Sequence, residues 1–356
     1  MSAPPDRARF DGEALVGWLS RALSGCGLPP EDASLAARVL VRTNARGIET
    51  HGIARSLVYV QKLQSGELNP RPRVRYEERA GVLHCHADSG LGQVVGPAAM
   101  DHAIALARDR GFVAMVLHEI GHLAALGMFT LRAAEAGMLG YLAQSTPPLM
   151  ALARSRGAAI GNNPLAFASP VPGRAPLVFD IAASGVARGN VLAAAREGRD
   201  IPPGWAIDSE GHPTTDPKAA LAGAMLPMAG HKGIGLAMMV ECLAGSLTGA
   251  APASVTGATP GSAPARVGAF AFVANPSLIA GREAYESHLE AWLARYLAAS
   301  GPEGRYPGQR AATLEEDRRR SGIPLSEAVL AELRKVGELT GAPFDMTPQD
   351  RRIRAA

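Results

Sequence analysis

The sequence predicts a mixed α/β body in which helical segments from the two chain ends pack together. Three observations carry that expectation. Apolar residues recur at helical spacing through the first 70 residues, short apolar runs then alternate with helical patterns, and helical periodicity returns after Pro324. In order, Leu15, Leu19, Ala22 and Leu23 mark a first helix that Gly25 ends. A second begins after Pro29 and Pro30 and runs through Leu35 and Val39. A third carries Ile53, Leu57, Val60 and Leu63 and stops near Gly66. Residues 74–76 and 82–87 flank a turn at Arg79, Ala80 and Gly81, which signals a hairpin. Helices are expected over 97–110, 126–136, 233–247, 282–297 and 324–339, and strands over 112–117, 139–143, 177–180 and 267–273. Residues 248–266, rich in Ala, Pro, Ser and Gly, read as a surface loop. The pattern divides the chain into a helical unit, 8–72 with 311–350, and an α/β unit, 73–310.

The chain has 356 residues, 47% hydrophobic and 19% charged, enough for one large domain or two interlocked ones. Net charge is +3 and the basic residues are dispersed, so nothing points to nucleic acid or a membrane surface. Cys26, Cys85 and Cys242 are far apart and odd in number, which fits a reducing cytoplasm rather than a disulfide framework. The first 15 residues lack the apolar core of a secretory signal. No run approaches the roughly 18 apolar residues that span a bilayer. A cytoplasmic protein that handles a small molecule is expected.

His51, Arg55 and Tyr59 are the most informative set. Spaced four apart, they share one face if their helix begins near Thr50. A guanidinium meets a carboxylate bidentately, and an imidazole moves protons near neutral pH. The same spacing also describes an ordinary helix face. A second element is the run PMAGHKGIG at 227–235, where glycines precede a helix and the backbone can approach phosphate. It contains Lys232, one of only four lysines. A flexible helix entry with an exposed lysine is the plain alternative. The third is GNNP at 161–164, followed sixteen residues after Pro164 by Asp180 at a strand end.

Two motifs mislead. HEIGH at 118–122 matches a zinc-protease pattern, but that chemistry needs both histidines on one helix face, and here the segment follows a strand and contains Gly121. GLGQVVG at 90–96 approximates a dinucleotide fingerprint, but its third glycine is one position late and no strand-end acid follows at the required distance. His84 and His86 share a strand face without an evident third ligand. No metal site is expected.

Together these segments resemble the type-2 malate/L-lactate dehydrogenase family, non-Rossmann NAD(P) oxidoreductases that include piperideine and pyrroline-2-carboxylate reductases. The likeness spans about residues 12–340. Its carriers are ARGIETHG at 45–52, HLAA at 122–125, GNNP at 161–164, FDIAAS at 179–184, ARGN at 187–190, GW at 204–205, GHKG at 230–233 and YPGQR at 306–310. The resemblance implies a mixed-sheet, non-Rossmann body in which 73–310 binds NAD or NADP together with substrate. It implies hydride transfer between that cofactor and a small 2-oxo/2-hydroxy acid, with reduction of a cyclic ketimine as the alternative. His51, aided by Thr50, would protonate the substrate and Asn190 would orient the site. Arg55 would hold the carboxylate, with Tyr59, His122 and Asn162 lining the pocket. Ala124, Ala125, Leu126, Gly127 and Met128 would meet the cofactor, as would Asp180, Ile181 and Ala182, then His231 and Lys232, and finally Arg305, Pro307, Gly308 and Arg310. A homodimer is implied. Three positions depart from the family pattern: Thr50 stands for the usual Ser, Asn162 for Thr or Ser, and Asn190 for Lys in malate and lactate types or Asp in the imino acid reductases. Residues 190 and 231 lean toward the imino acid reductases and GW at 204–205 toward the 2-oxo acid enzymes, so both substrate classes stay open.

Overall fold

The computed structural model describes residues 7–250 and 267–349. The loop expected over 248–266 lies outside the described residues from 251 onward, as does residue 350 of the helical unit. The two chain ends meet as expected. Ala8–Phe10 pairs antiparallel with Ile323–Leu325. Asp11 caps the helix Gly12–Ser24 and Ser326 caps Glu327–Thr340. These helices and Pro30–Ala45 share one core containing Leu15, Trp18, Leu19, Leu330, Leu333 and Val336. The Phe344 ring meets Trp18 edge-on at 4.8 Å, and the indole N–H donates to the Ala342 carbonyl at 3.0 Å.

The α/β unit is a seven-stranded sheet. Its spatial order is Arg75–Arg79, Val82–His86, Phe112–His118, Ala269–Ala274, Leu139–Gln144, Leu165–Ser169 and Leu177–Ile181. Only Val82–His86 and Phe112–His118 run parallel, joined by the helix Gly92–Arg110; every other neighbouring pair is antiparallel. One parallel pair cannot make the doubly wound crevice of a Rossmann fold. One face of the sheet buries Leu83, Met115, Leu117, Leu142 and Ala271 under the helices Gly92–Arg110 and Gly127–Glu135. The other carries a row of stacked rings, with Phe272 between Phe112 at 5.5 Å and Tyr141 at 5.1 Å.

Several elements differ from expectation. The helix Gly92–Arg110 begins ahead of Pro97, with Pro97 inside it. The strand Leu165–Ser169, the helix Arg188–Glu197 and a three-stranded sheet of two-residue strands have no signature in the sequence, being too short or too rich in alanine to show a period. The helix Gln309–Ser321 lies almost wholly in the helical unit expected from residue 311, but no period marks it, because it buries no residue and has no apolar stripe. Charge holds it instead: Glu315 pairs with Arg42 and Arg46, and Arg318 reaches Glu49 at 3.0 Å while donating to the Asn44 carbonyl at 2.6 Å. Arg318 therefore ties this helix to the segment that leads into His51. Its replacement by Ala takes a donor from the carbonyl of buried Asn44, while Glu49 keeps Arg7, so Arg318→Ala is expected to lose about 1–2 kcal/mol of stability in urea denaturation.

Candidate active site

The segment carrying His51 and Arg55 is not the single helix expected from Thr50. Glu49–His51 and Ile53–Arg55 are separate 3-10 turns, and the α-helix runs only over Ser56–Gln64. The buried Asn44 side chain causes the break. Its Oδ1 accepts from the Ile53 N–H at 2.7 Å and occupies the space beside Gly52, where an added Cβ would lie 2.0 Å from that oxygen. The break turns His51 and Arg55 toward one another. Thr50 Oγ1 lies 2.9 Å from His51 Nδ1, and Arg55 Nε donates to the Thr50 carbonyl at 2.8 Å. Arg55 forms no ion pair among the described residues, so its guanidinium keeps donors for a ligand.

His122 faces this turn from a loop after Phe112–His118, its ring centroid 6.2 Å from that of His51. Main-chain contact seats the loop: the Gly121 N–H donates to the Gly90 carbonyl at 3.0 Å, and a Cβ at Gly92 would come within 2.5 Å of the His122 carbonyl. The glycines that imitate a dinucleotide fingerprint thus serve backbone packing. Gln93, fully buried, donates to the His122 carbonyl at 3.1 Å and to the Tyr59 hydroxyl at 3.3 Å. Gln144 holds the other side, accepting from Leu123 N–H and donating to the Gly121 carbonyl. With a lone pair occupied by Gln93, buried Tyr59 sends its own proton to His122 Nδ1 at 3.0 Å. That assignment leaves the His122 proton on Nε2. Neither glutamine could be found from periodicity, since an isolated buried amide carries no pattern.

Burial pushes His51 down to about 4, helped by the nearby Arg55 charge. Burial likewise brings His122 to about 3, with His51, Arg55 and Lys62 adding to the shift. Both imidazoles are neutral at pH 7. A cavity of about 200 Å³ opens beyond Tyr59 and His122, lined also by Lys62, Glu67, Ser89 and Glu119. Gln144, Ser145 and Thr146 close another side.

GNNP forms a buried junction. Asn163, fully enclosed, accepts from Thr146 N–H at 2.9 Å and donates to the Ala237 carbonyl at 2.9 Å and to Glu241 at 3.0 Å. Asn162 accepts from the Thr146 hydroxyl at 2.9 Å, and its carbonyl takes the Ala183 N–H at 2.8 Å. Asn190 sits in the first turn of Arg188–Glu197, whose Gly189 lies against Thr50, but its side chain is exposed and no hydrogen bond joins it to His51.

The four segments expected at the cofactor gather around the edge strand Leu177–Ile181. Asp180 accepts from Gly127 N–H at 2.8 Å, which places Ala124, Ala125, Leu126, Gly127 and Met128 beside Asp180, Ile181 and Ala182. The turn holding Arg305, Pro307, Gly308 and Arg310 packs on the same strand, with Val178 N–H donating to the Pro307 carbonyl at 3.0 Å. His231 and Lys232, both exposed, open the helix His231–Val240, which is secured when Met228 N–H donates to the Ala183 carbonyl. Burial pushes the Asp180 carboxyl up to about 6 against the one backbone donor.

HEIGH is a strand end and loop: His118 closes Phe112–His118, and Glu119 has φ 52°, outside helix. The two histidines point apart, since His118 stacks between His84 and His86 while His122 meets Tyr59. Among the described residues no group of His, Cys, Asp or Glu is placed to hold a metal ion.

A family model described as malate/L-lactate dehydrogenase matches residues 10–334. The chain belongs to that family. It is 36% identical over 316 residues to a (2R)-3-sulfolactate dehydrogenase (NADP(+)) of Chromohalobacter salexigens, covering 88% of this chain and 93% of the relative. It is 35% identical over 319 residues to a Delta(1)-pyrroline-2-carboxylate reductase of Ancylobacter novellus, covering 88% and 93%. The malate dehydrogenase structure from Pyrococcus horikoshii OT3 superposes with a TM-score of 0.85 at 29% identity, covering 96% of this chain and 98% of that one. This member thus keeps the mixed, non-Rossmann sheet of the family. No helix among its described residues is long and apolar enough to cross a membrane.

The neutral histidines set a pH dependence. An exposed imidazole charges near 6.5, whereas His51 and His122 resist charging until about 4 and 3, so the unfolded chain binds more protons across that interval. Stability is therefore lost as pH falls below 6.5. Asp180, raised to about 6, binds its proton earlier in the folded chain and offsets part of the loss. The thermal midpoint is expected to drop between pH 7 and pH 5, and to drop less in His122→Gln; an equal drop in the variant would refute this origin.

Proposed function

We propose that this chain catalyses reversible hydride transfer between NAD(P)H and the carbonyl carbon of a small 2-oxo acid, giving the 2-hydroxy acid. The observation that carries the reading is the Arg55 guanidinium, without an ion pair among the described residues, beside two neutral imidazoles. Arg55 binds the substrate carboxylate in two parallel hydrogen bonds and so fixes the adjacent carbonyl. That carboxylate also cancels the Arg55 charge, the smaller of the two causes that keep His51 neutral, and makes the ring easier to protonate. His51 then delivers its proton to the oxygen as negative charge develops there. In the oxidative direction the neutral His51 accepts the hydroxyl proton. Thr50 orients its ring through Nδ1, and Asn190, next to the Gly189 that lies against Thr50, is the residue proposed to orient the site. Tyr59 and His122 line the substrate pocket, and Asn162 is proposed to serve it from behind Thr146, from whose hydroxyl it accepts.

The nicotinamide cofactor supplies the hydride donor or acceptor. Its fit is supported by the first-turn amides of His231–Val240 with Lys232 beside them, an anion cradle suited to a pyrophosphate. Asp180, Ile181 and Ala182, with Ala124 to Met128 and the Arg305 to Arg310 turn, flank that cradle. Relatives include NADP(+)- and NAD(+)-dependent enzymes, so both forms belong in the assay.

A second reading is cyclic ketimine reduction, favoured by the pyrroline-2-carboxylate reductases among the relatives and by the likeness to imino acid reductases around residues 190 and 231. Cofactor oxidation with pyruvate, oxaloacetate and piperideine-2-carboxylate separates the two: turnover of the imine alone would select the second. His51→Ala is expected to lower kcat by about 100-fold or more, and Arg55→Lys to lower kcat/KM by at least about tenfold, mainly through KM. Unchanged turnover in His51→Ala would sink the proton-donor assignment.

We further propose a cytoplasmic homodimer. Support comes from three free cysteines and from the aromatic sheet face, where Phe112 is 51% and Phe179 38% exposed. Light scattering on the purified protein should give twice the chain mass, and a monomer would count against the pairing.

A further inference from the structure

His51 and His122 differ in what fixes their protons. His51 Nδ1 meets only the Thr50 hydroxyl, which can rotate to donate or to accept, so neither tautomer is imposed on that ring. His122 ends a chain of hydrogen bonds whose direction is set by a carbonyl. The His122 carbonyl can only accept, so the Gln93 amide must turn its nitrogen toward it, at 3.1 Å. The same nitrogen donates to the Tyr59 hydroxyl at 3.3 Å, and Tyr59 in turn donates to His122 Nδ1 at 3.0 Å. This orientation is held at a cost, since Gln93 Oε1 is left buried without a partner among the described residues. His122 Nε2 also has no partner there, but it is not enclosed, so its N–H faces open space. The ring lies beside the Arg55 charge, 6.2 Å from the His51 ring between centroids. One oxygen about 2.9 Å from a nitrogen of each ring fits that separation.

We propose that Gln93 is a positioning residue that, through Tyr59, pins His122 as a neutral Nε2–H donor to the substrate carbonyl oxygen, so that His51 alone moves the proton. The inference rests on the hydride-transfer reading above and divides the work between its two imidazoles. So pinned, His122 is a poor base: Nε2 already carries a proton, and Nδ1 is filled by the one from Tyr59. It is a poor acid as well. Releasing the Nε2 proton would draw the Tyr59 proton onto Nδ1 and leave a buried tyrosinate, and burial pushes the Tyr59 hydroxyl up, against that step. What remains is a fixed N–H dipole, suited to the negative charge that develops on an oxygen. Hydride adds to the carbonyl carbon, the π pair of the C=O bond moves onto oxygen, and the His51 proton closes the hydroxyl. His122 holds the oxygen throughout and keeps its own proton.

Imidazole-nitrogen NMR of the isotopically labelled full chain at pH 7, with His122 assigned by its loss in His122→Gln, is expected to show the proton on Nε2. In Gln93→Met the Tyr59 hydroxyl loses its donor. Part of the His122 population is then expected to carry its proton on Nδ1, with kcat for pyruvate or oxaloacetate down about tenfold and KM little changed. Gln93→Glu is expected to shift the tautomer further, because a carboxylate takes the Tyr59 proton and reverses the chain. Gln93 is buried and its variants can fail to fold, so His122 supplies a second test. His122→Gln keeps an N–H donor and His122→Leu does not, and the first is expected to exceed the second in kcat by about tenfold or more. A proton on Nδ1 in the unaltered chain, an Nε2 proton unmoved in both folded Gln93 variants, or equal turnover in the two His122 variants would overturn this inference and leave hydride transfer to 2-oxo acids standing. Silence of the unaltered chain toward every open-chain acid would instead remove the parent reading, and with it the carbonyl that His122 is inferred to meet.

Discussion

The Asn163 amide is bonded on both ends inside the protein, and much of the site hangs from it. Its oxygen holds the backbone of Thr146 at the cavity wall, while its nitrogen holds Ala237 on the helix His231–Val240 and Glu241 just beyond its end. The neighbouring Asn162 fixes Ala183, the residue that follows the Asp180 segment. One buried side chain thus fastens three pieces of chain to each other without contributing an apolar contact. An amide suits the task because it is both donor and acceptor and carries no charge to desolvate. A π-turn at Glu241–Ser246 keeps Glu241 facing Asn163, and the absence of a side chain at Gly245 leaves room for that carboxylate.

Two neutral imidazoles beside a cation define the chemistry. In water, an imidazole next to a guanidinium would be only mildly disturbed; here enclosure keeps both rings uncharged, with the Arg55 charge adding to it for each. His51 is thereby poised as base rather than acid until an anion arrives. On the proposed reading, a substrate carboxylate at Arg55 would remove the smaller part of that shift and so make His51 easier to protonate.

What the sequence revealed and what it hid follow different physics. Amphipathic helices such as Gly12–Ser24 and the buried strands Phe112–His118 and Ala269–Ala274 carry an apolar period, and each is where that period puts it. His51, Arg55 and Tyr59 were legible as a set, yet not as a helix, because the break at Gly52 depends on Asn44, a residue in another element. The charged helix Gln309–Ser321 was hidden since its partners, Arg42, Arg46 and Glu49, lie some 270 positions away in the chain. Gln93 was hidden inside a glycine run that suggested phosphate. In that run the glycines were visible and their purpose was not: they admit a neighbouring backbone rather than a nucleotide.

That close backbone approach has a consequence for how the family diversifies. His122 is seated by glycine main chain and by carbonyl contacts from Gln93 and Gln144, whereas the cavity wall is made of side chains such as Lys62, Glu67 and Ser89. Tyr59 and Gln144 belong to both, since they line the cavity and also hold His122 and its loop, whereas the Glu67 and Ser89 side chains line it without a bond to that loop. A replacement at Glu67 or Ser89 can therefore reshape the cavity while the histidine stays where it is, and one at Gln144 cannot.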